Sequence, residues 1–424
     1  ALALPDPAML GTLARRASLT HHWLARPDPV RQPCFIGLAR WFANGYGLAL
    51  QMTRQARCVR EISMTTRRSF VAGALGSAAF LGSSVAGFAQ GAPAASADLI
   101  ARAKKEGRVA IYTSTDEAQG QPLVEAFKQA YGIAVDYNGI GTTDVYNRVI
   151  SEAAAGQVGA DVAWTSSMDL QMVLASKGLL DTYASPEAAQ FPQSSIYKDM
   201  VFGTSVEPVA MIYNKNLFKP EWIPKTRADL VKLLQEHGKD LKGKVASFDP
   251  EKSGIGFLLA QTDLQNTTSF WDLAKAFGAA DGKVYGSSGA MREKVVSGEQ
   301  VIAFNVIGSY ALQWQKESPV VGVSFASDYT AAFQRVASVT KNAPHPAAGR
   351  LFLDFMLSEK GQAILAGKGV PPLRKGYKGV LDAEEIAKLT GGNMKVIPVD
   401  EKLAGNMNPK PVSYTHLTLP TILL

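Results

Sequence analysis

From Arg108 onward the chain alternates between two hydrophobic periods. Arg108-Val109-Ala110-Ile111-Tyr112-Thr113 is a short apolar run and predicts a buried strand. Residues 122–131 carry apolar positions at helical spacing, with Pro122 at the start and Gly132 at the stop, and predict an amphipathic helix. Residues 133–137 predict a second strand, after which Thr143 and Asp144 cap a helix running to Ala155. A third strand spans 160–164, and Ser167 caps the helix that follows to Lys177. Strand, helix and strand at this spacing imply right-handed crossovers and a parallel sheet.

The same alternation resumes in a second lobe after Gly203-Thr204-Ser205-Val206-Glu207-Pro208. There, strand 209–213 leads into Asn214-Lys215, read as a crossing point. Residues 226–235 predict a capped amphipathic helix and 244–248 a strand. Residues 249–254 form a loop before an apolar helix. Residues 291–297 predict a helix and 300–306 a strand. The chain is expected to return to the first lobe near Asp328-Tyr329-Thr330. The body, 98–411, is long enough for two lobes with separate cores.

In open α/β sheets a ligand sits beyond the carboxyl ends of the strands, against helix N-termini. Three loops in that position read Thr113-Ser114-Thr115, Gly141-Thr142-Thr143 and Thr165-Ser166-Ser167. All are hydroxylated and uncharged at the tip. Ser and Thr cap helices everywhere, so one such loop says little, but three on one sheet edge point to a polar ligand. Ser253-Gly254, at the start of the apolar helix of the second lobe, is a further anion seat. The candidate binding set is therefore Thr113, Ser114, Thr115, Thr142, Ser166, Ser167, Ser253 and Gly254, together with Asn305, Tyr310 and Tyr329.

The ends of the chain read differently. Thr66-Arg67-Arg68-Ser69-Phe70-Val71, just after Met64, is a twin-arginine export signature. The apolar stretch behind it is broken by Gly73, Gly76 and Gly82, too soft for a transmembrane helix of roughly 20 residues. Small-residue cleavage candidates follow at Gly87-Phe88-Ala89 and Ala95-Ser96-Ala97, so 64–97 is expected to be a signal peptide. Residues 1–63 are expected to be upstream sequence outside the working protein. Residues 412–424 resemble the translation of a sequencing-library adapter. Charge follows this division: residues 1–97 hold ten Arg or Lys against three Asp or Glu, and residues 98–424 hold 34 against 34. The formal net charge of +7 thus belongs to the leader, and no basic patch remains for nucleic acid. Both cysteines, Cys34 and Cys58, precede the body, which excludes disulfides and thiolate chemistry there.

Four segments carry a resemblance: 161–174 (DVAWTSSMDLQMVL), 213–216 (YNKN), 305–311 (NVIGSYA) and 344–365 (PHPAAGRLFLDFMLSEKGQAIL). The last reads as a helix with a Pro-rich start and a Ser-Glu-x-Gly-Gln turn. With them the body resembles a periplasmic solute-binding protein of an ABC importer, in the iron(III)- and phospho-compound-binding branch. The resemblance implies an α/β fold of two lobes, each a mainly parallel sheet flanked by helices, joined by two crossing strands. Residues 98–205 and 327–411 would form the first lobe and 206–326 the second. It also implies closure on a solute and delivery to an inner-membrane permease. Iron-binding members use two adjacent tyrosines as phenolates, because a hard trivalent ion wants anionic oxygen. Here Ser309-Tyr310-Ala311 stands where the pair is expected, and Tyr329 is not adjacent.

The expected function is periplasmic capture of a small anionic solute, phosphorylated or a phosphonate, by a monomer with no cofactor and no metal. Ferric-ion transport is the alternative. A secreted hydrolase is the rival from another class, but the body has neither a Gly-x-Ser-x-Gly elbow nor a His-Glu-x-x-His pair. Of its histidines, His237 ends a helix and His345 lies between prolines at a helix start.

Overall fold

The computed structural model describes residues 95–406. The twin-arginine signature, both cysteines and segment 412–424 lie outside the described residues. The strands, in chain order, are β1 (Arg108–Thr113), β2 (Ala134–Gly139), β3 (Val162–Thr165), β4 (Ile196–Tyr197), β5 (Val201–Gly203), β6 (Glu207–Asn214) and β7 (Val245–Phe248). They continue with β8 (Lys283–Tyr285), β9 (Ile302–Ile307), β10 (Val321–Ser324), β11 (Thr330–Phe333), β12 (Val336–Val339) and β13 (Met394–Val396).

One sheet has the order β2-β1-β3-β12-β5-β4 and the other β13-β11-β6-β9-β7-β8, with β10 pairing to β6. Strands linked through helices pair in parallel: β1 with β2 and β3, and β7 with β8 and β9. Around the crossing segments pairing is antiparallel, as in β12 with β3 and β5, and β6 with β9, β10 and β11. Each sheet is therefore mixed, and in the second sheet β11 and β13 add a parallel pair at the far edge. The strands entering from the other lobe reach their neighbours without a helical crossover, and nothing obliges them to run parallel.

Two segments join the lobes. The chain leaves the first sheet after β5 and enters the second at β6, so the crossing is Thr204-Ser205-Val206 rather than Asn214-Lys215. It returns at Gln334-Arg335, between β11 in the second sheet and β12 in the first, later than Asp328-Tyr329-Thr330. β13 then pairs with β11, so part of the segment after 327 belongs to the second sheet.

Local signals place most elements. Thr226 and Asp229 form a capping box at the helix Arg227–His237, and Gly132 ends its helix in the left-handed conformation. Several helices differ from expectation: the helix expected to be capped by Thr143 and Asp144 is Thr142–Ala154, with Gly141 as N-cap, and the one expected over 291–297 begins at Ser288. The second helix is Glu117–Tyr131, with Asp116 as N-cap and Pro122 inside. The lost intrahelical bond is offset by burial of Gln119 and Gly120 in the added turn. Segment 344–365 is two helices, Pro346–Leu357 and Glu359–Gly367, because Ser358 leaves helical geometry and caps the amide of Gly361. The body begins earlier than 98: the Ser96 side chain caps the helix Ala97–Glu106, which buries Leu99 and Ala103.

The first lobe closes its core with Phe127 against Phe352 and Phe355, at ring separations of 5.1 and 5.6 Å. Full burial of one such ring contributes about 1.5–3 kcal/mol. Among the described residues no helix is long and apolar enough to cross a membrane.

Candidate ligand-binding site

A cleft of about 510 Å³ opens between the lobes. Its walls come from loops at the carboxyl ends of β1, β2 and β3 on one side and β7, β8 and β9 on the other. Helices Glu117–Tyr131, Thr142–Ala154, Gly254–Asn266, Ser288–Ser297 and Gly308–Glu317 all begin at this cleft. Helix N-termini carry unpaired N–H groups and partial positive charge, and here they converge from both lobes.

Of the candidate residues, Thr113, Ser114, Thr115, Thr142, Ser166, Ser253 and Tyr310 line the cleft. Four do not. Ser167 is fully buried behind the wall. A Cβ on Gly254 would lie 2.3 Å from Ser167 Oγ, so only glycine allows the lobes to meet there. The amide of Gly254 is not a free anion seat, because it donates to Thr142 Oγ1 at 2.9 Å across the lobe boundary. Asn305 and Tyr329 lie elsewhere in the second lobe. Asn305 sits within β9, short of its carboxyl end, at φ 58°. It donates to Asp263 at 2.9 Å and accepts from Arg227 at 3.2 Å, with the Arg227 guanidinium 5.1 Å above the Tyr329 ring. These groups brace helices Arg227–His237 and Gly254–Asn266. The cleft also takes residues that sequence reasoning passed over: Asp116, Glu117 and the run Gly286-Ser287-Ser288-Gly289. That run repeats the hydroxyl-rich signal of the other loops and stands at the start of helix Ser288–Ser297.

The hydrogen-bond pattern gives the cleft a polarity. Thr142 Oγ1 accepts from Gly254 N, Ser253 Oγ from Gly256 N and Ser287 Oγ from Ala290 N. Ser288 Oγ accepts from Ile307 N, and Thr115 Oγ1 from Arg335 Nη1 at 2.9 Å. Tyr310 Oη accepts from Asp116 N at 3.2 Å and Arg335 Nη2 at 3.3 Å. Among the described residues none of these six hydroxyls has an acceptor for its own proton. Each carries one proton to give, so the cleft offers donors. Thr113 Oγ1 also accepts, from Thr115 N, but Thr113 is 0% exposed, and Ser114 Oγ donates to Thr165 Oγ1.

Among the described residues the only charged ones on the lining are Asp116 and Glu117. Asp116 is exposed at the mouth, yet the walls around its carboxyl desolvate it and raise its pKa, partly opposed by Arg335. Burial likewise raises the Tyr310 phenol to about 12, again against the pull of Arg335. Arg335 and Glu207 lie just behind the lining, both with fully buried side chains, Nε to Oε1 at 3.0 Å. Their sequence signal is a single charge in each of two otherwise uncharged stretches, 201–214 and 329–340. Ser309, in the position expected for a second tyrosine, donates to Glu207 at 2.5 Å. Among the described residues no cluster of His, Cys, Asp or Glu is arranged to hold a metal ion. His345 does structural work, its amide and Nδ1 bonding the buried Asp161 at 2.5 and 3.0 Å.

Residues 122–390 match the family model of bacterial extracellular solute-binding proteins. Among solved structures, the substrate-binding protein of the ABC transporter from Agrobacterium tumefaciens is 31% identical, with TM-score 0.70 over 74% of this chain and 93% of that one. Iron-bound HitA from Pseudomonas aeruginosa is 22% identical, with TM-score 0.59 over 74% and 99%. AfuA from Actinobacillus pleuropneumoniae, with exogenous fructose-6-phosphate bound, is 20% identical, with TM-score 0.58 over 70% and 93%. The latter two show a shared fold. No curated protein matches the chain at the sequence level.

Proposed function

The chain belongs to the bacterial extracellular solute-binding proteins that serve ABC transporters, and we propose that within this family it captures a small anionic solute, a phosphate ester or a phosphonate. The observation that carries this reading is the set of six cleft hydroxyls whose oxygens already accept a bond. Such a site is complementary to a ligand rich in acceptor oxygens. Converging helix N-termini add favourable potential, with no cationic side chain on the wall among the described residues. A charge-assisted hydrogen bond contributes about 1.5–3 kcal/mol, so several support micromolar binding or better. Closure of the lobes would bury the solute and present one arrangement to the permease.

A ferric ion fits the same residues poorly. Burial keeps the Tyr310 phenol protonated, with its pKa near 12, and its oxygen already accepts two bonds. Ser309 is engaged by Glu207, and Tyr329 stands away from the cleft.

Calorimetry of the chain against a panel of phosphate esters and phosphonates tests the reading. Binding is expected, and Ser166→Ala with Ser253→Ala should weaken it at least tenfold. An unchanged affinity would mean that Ser253 only caps its helix and Ser166 only pairs with Ser114. Export by the twin-arginine route and a monomeric working state complete the proposal. Replacing Arg67 and Arg68 with Lys should retain unprocessed chain in the cytoplasm; undiminished periplasmic yield refutes that route. Cleavage upstream of Ser96 is expected, because Ser96 caps the first helix of the body.

A further inference from the structure

Among the described residues the cleft has no cation on its wall, but the fully buried Arg335 lies directly behind it. Arg335 occupies the return crossing and Glu207 follows the outward crossing. The Arg335 side chain is held on every edge. Its Nε and Nη2 donate to Glu207 Oε1 and Oε2 at 3.0 and 3.2 Å. Glu207 in turn accepts from Ser205 at 2.8 Å and Ser309 at 2.5 Å. The backbone is fixed too, by Thr204 N on the Arg335 carbonyl at 2.7 Å and by Arg335 N on Ser205 Oγ at 3.2 Å. The remaining reach of the guanidinium goes to two cleft hydroxyls, Thr115 of the first lobe at 2.9 Å and Tyr310 of the second at 3.3 Å.

We propose that Arg335, locked by Glu207, is a positioning and specificity-determining residue: by donating to Thr115 and Tyr310 it turns their hydroxyl protons toward the cleft, and so selects an acceptor-rich anion that it never touches. This rests on the anionic reading above. A guanidinium carries N–H donors in a rigid fork and no acceptor. An oxygen that takes one of these donors directs its own proton elsewhere. Because the fork is shared between a residue from each lobe, the two donors converge only while the lobes are closed about the hinge. The Glu207 carboxylate offsets the charge of Arg335, so selection works through proton direction rather than net charge. A lysine, with one compact ammonium, cannot serve Glu207, Thr115 and Tyr310 in the same geometry.

The test uses the full chain labelled with ¹³Cζ-tyrosine, with the Tyr310 resonance assigned through Tyr310→Phe. The variant Arg335→Met with Glu207→Gln removes both charges and leaves no uncompensated ion; Arg335→Lys keeps the charge without the fork. Without any added anion, the Tyr310 resonance is expected to move in both variants. On titration with inorganic phosphate the parent resonance should shift saturably, with the midpoint at least tenfold higher in both variants. An unmoved ligand-free resonance, parent-like phosphate binding by the double variant, or parent-like binding by Arg335→Lys overturns the role of Arg335 alone. Failure of the parent itself to respond to phosphate overturns the anionic reading on which that role rests.

Discussion

Removing one member of the Arg335–Glu207 pair should cost far more than removing both. Both side chains are 0% exposed, and the ion pair lies where the two crossing segments meet. In Arg335→Met, Glu207 keeps only the Ser205 and Ser309 hydroxyls as partners. A carboxylate left buried without its counter-charge costs about 3–5 kcal/mol. Glu207→Gln strands the guanidinium in the same way and should cost a similar amount. The double variant leaves no buried ion, and its loss should stay within about 2 kcal/mol. The coupling energy is then at least about 4 kcal/mol, beyond the usual range for residues in contact because each single variant strands a buried charge. Urea unfolding followed by tryptophan fluorescence measures it, provided the urea dependence stays constant across the four proteins. Two results refute the reasoning. Additive losses would mean that the pair does not interact. A loss under about 0.5 kcal/mol in Arg335→Met would mean that water or a nearby group replaces the guanidinium.

Ferric citrate added to the chain should give no visible phenolate-to-iron band, because burial holds the Tyr310 phenol near 12; a stoichiometric band that vanishes in Tyr310→Phe contradicts this. Burial pushes the Asp169 carboxyl up to about 7, and its Oδ2 has no partner. A carboxyl protonated more readily in the folded than in the unfolded chain contributes stability at low pH that is lost as pH rises through about 7. Asp169→Asn should therefore gain on the parent between pH 4 and 7.5, by up to about 4 kcal/mol, and equal denaturation midpoint differences at both pH values refute it. In Gly120→Ala the new Cβ would lie 2.1 Å from the Tyr137 hydroxyl, which bonds the Thr115 carbonyl at 2.7 Å. The variant should lose about 1–3 kcal/mol and bind phosphate esters more weakly; a parent-like melting temperature rules out the clash.

What the sequence determines by itself here is local. The span of β1, the box at Thr226 and Asp229, the stop at Gly132 and the hydroxylated loops at Thr113, Ser166 and Ser253 follow from contacts within a few residues. The family likeness carried the two-lobed plan further than periodicity could. Tertiary structure decided the rest. Strand partners, and hence the true crossings at 204–206 and 334–335, depend on which segments meet after the chain has doubled back. Asn305 and Tyr329 lie in a motif shared with the cleft residue Tyr310, or near it, but pack against Arg227 in another part of the lobe. The amide of Gly254, a free anion seat by its place in sequence, is taken by Thr142, 112 positions away. Most of all, the proton direction of Thr115 and Tyr310 is set by Arg335, 220 and 25 positions distant. A hydroxyl is donor and acceptor alike until a neighbour occupies one role, and that neighbour is chosen by the fold.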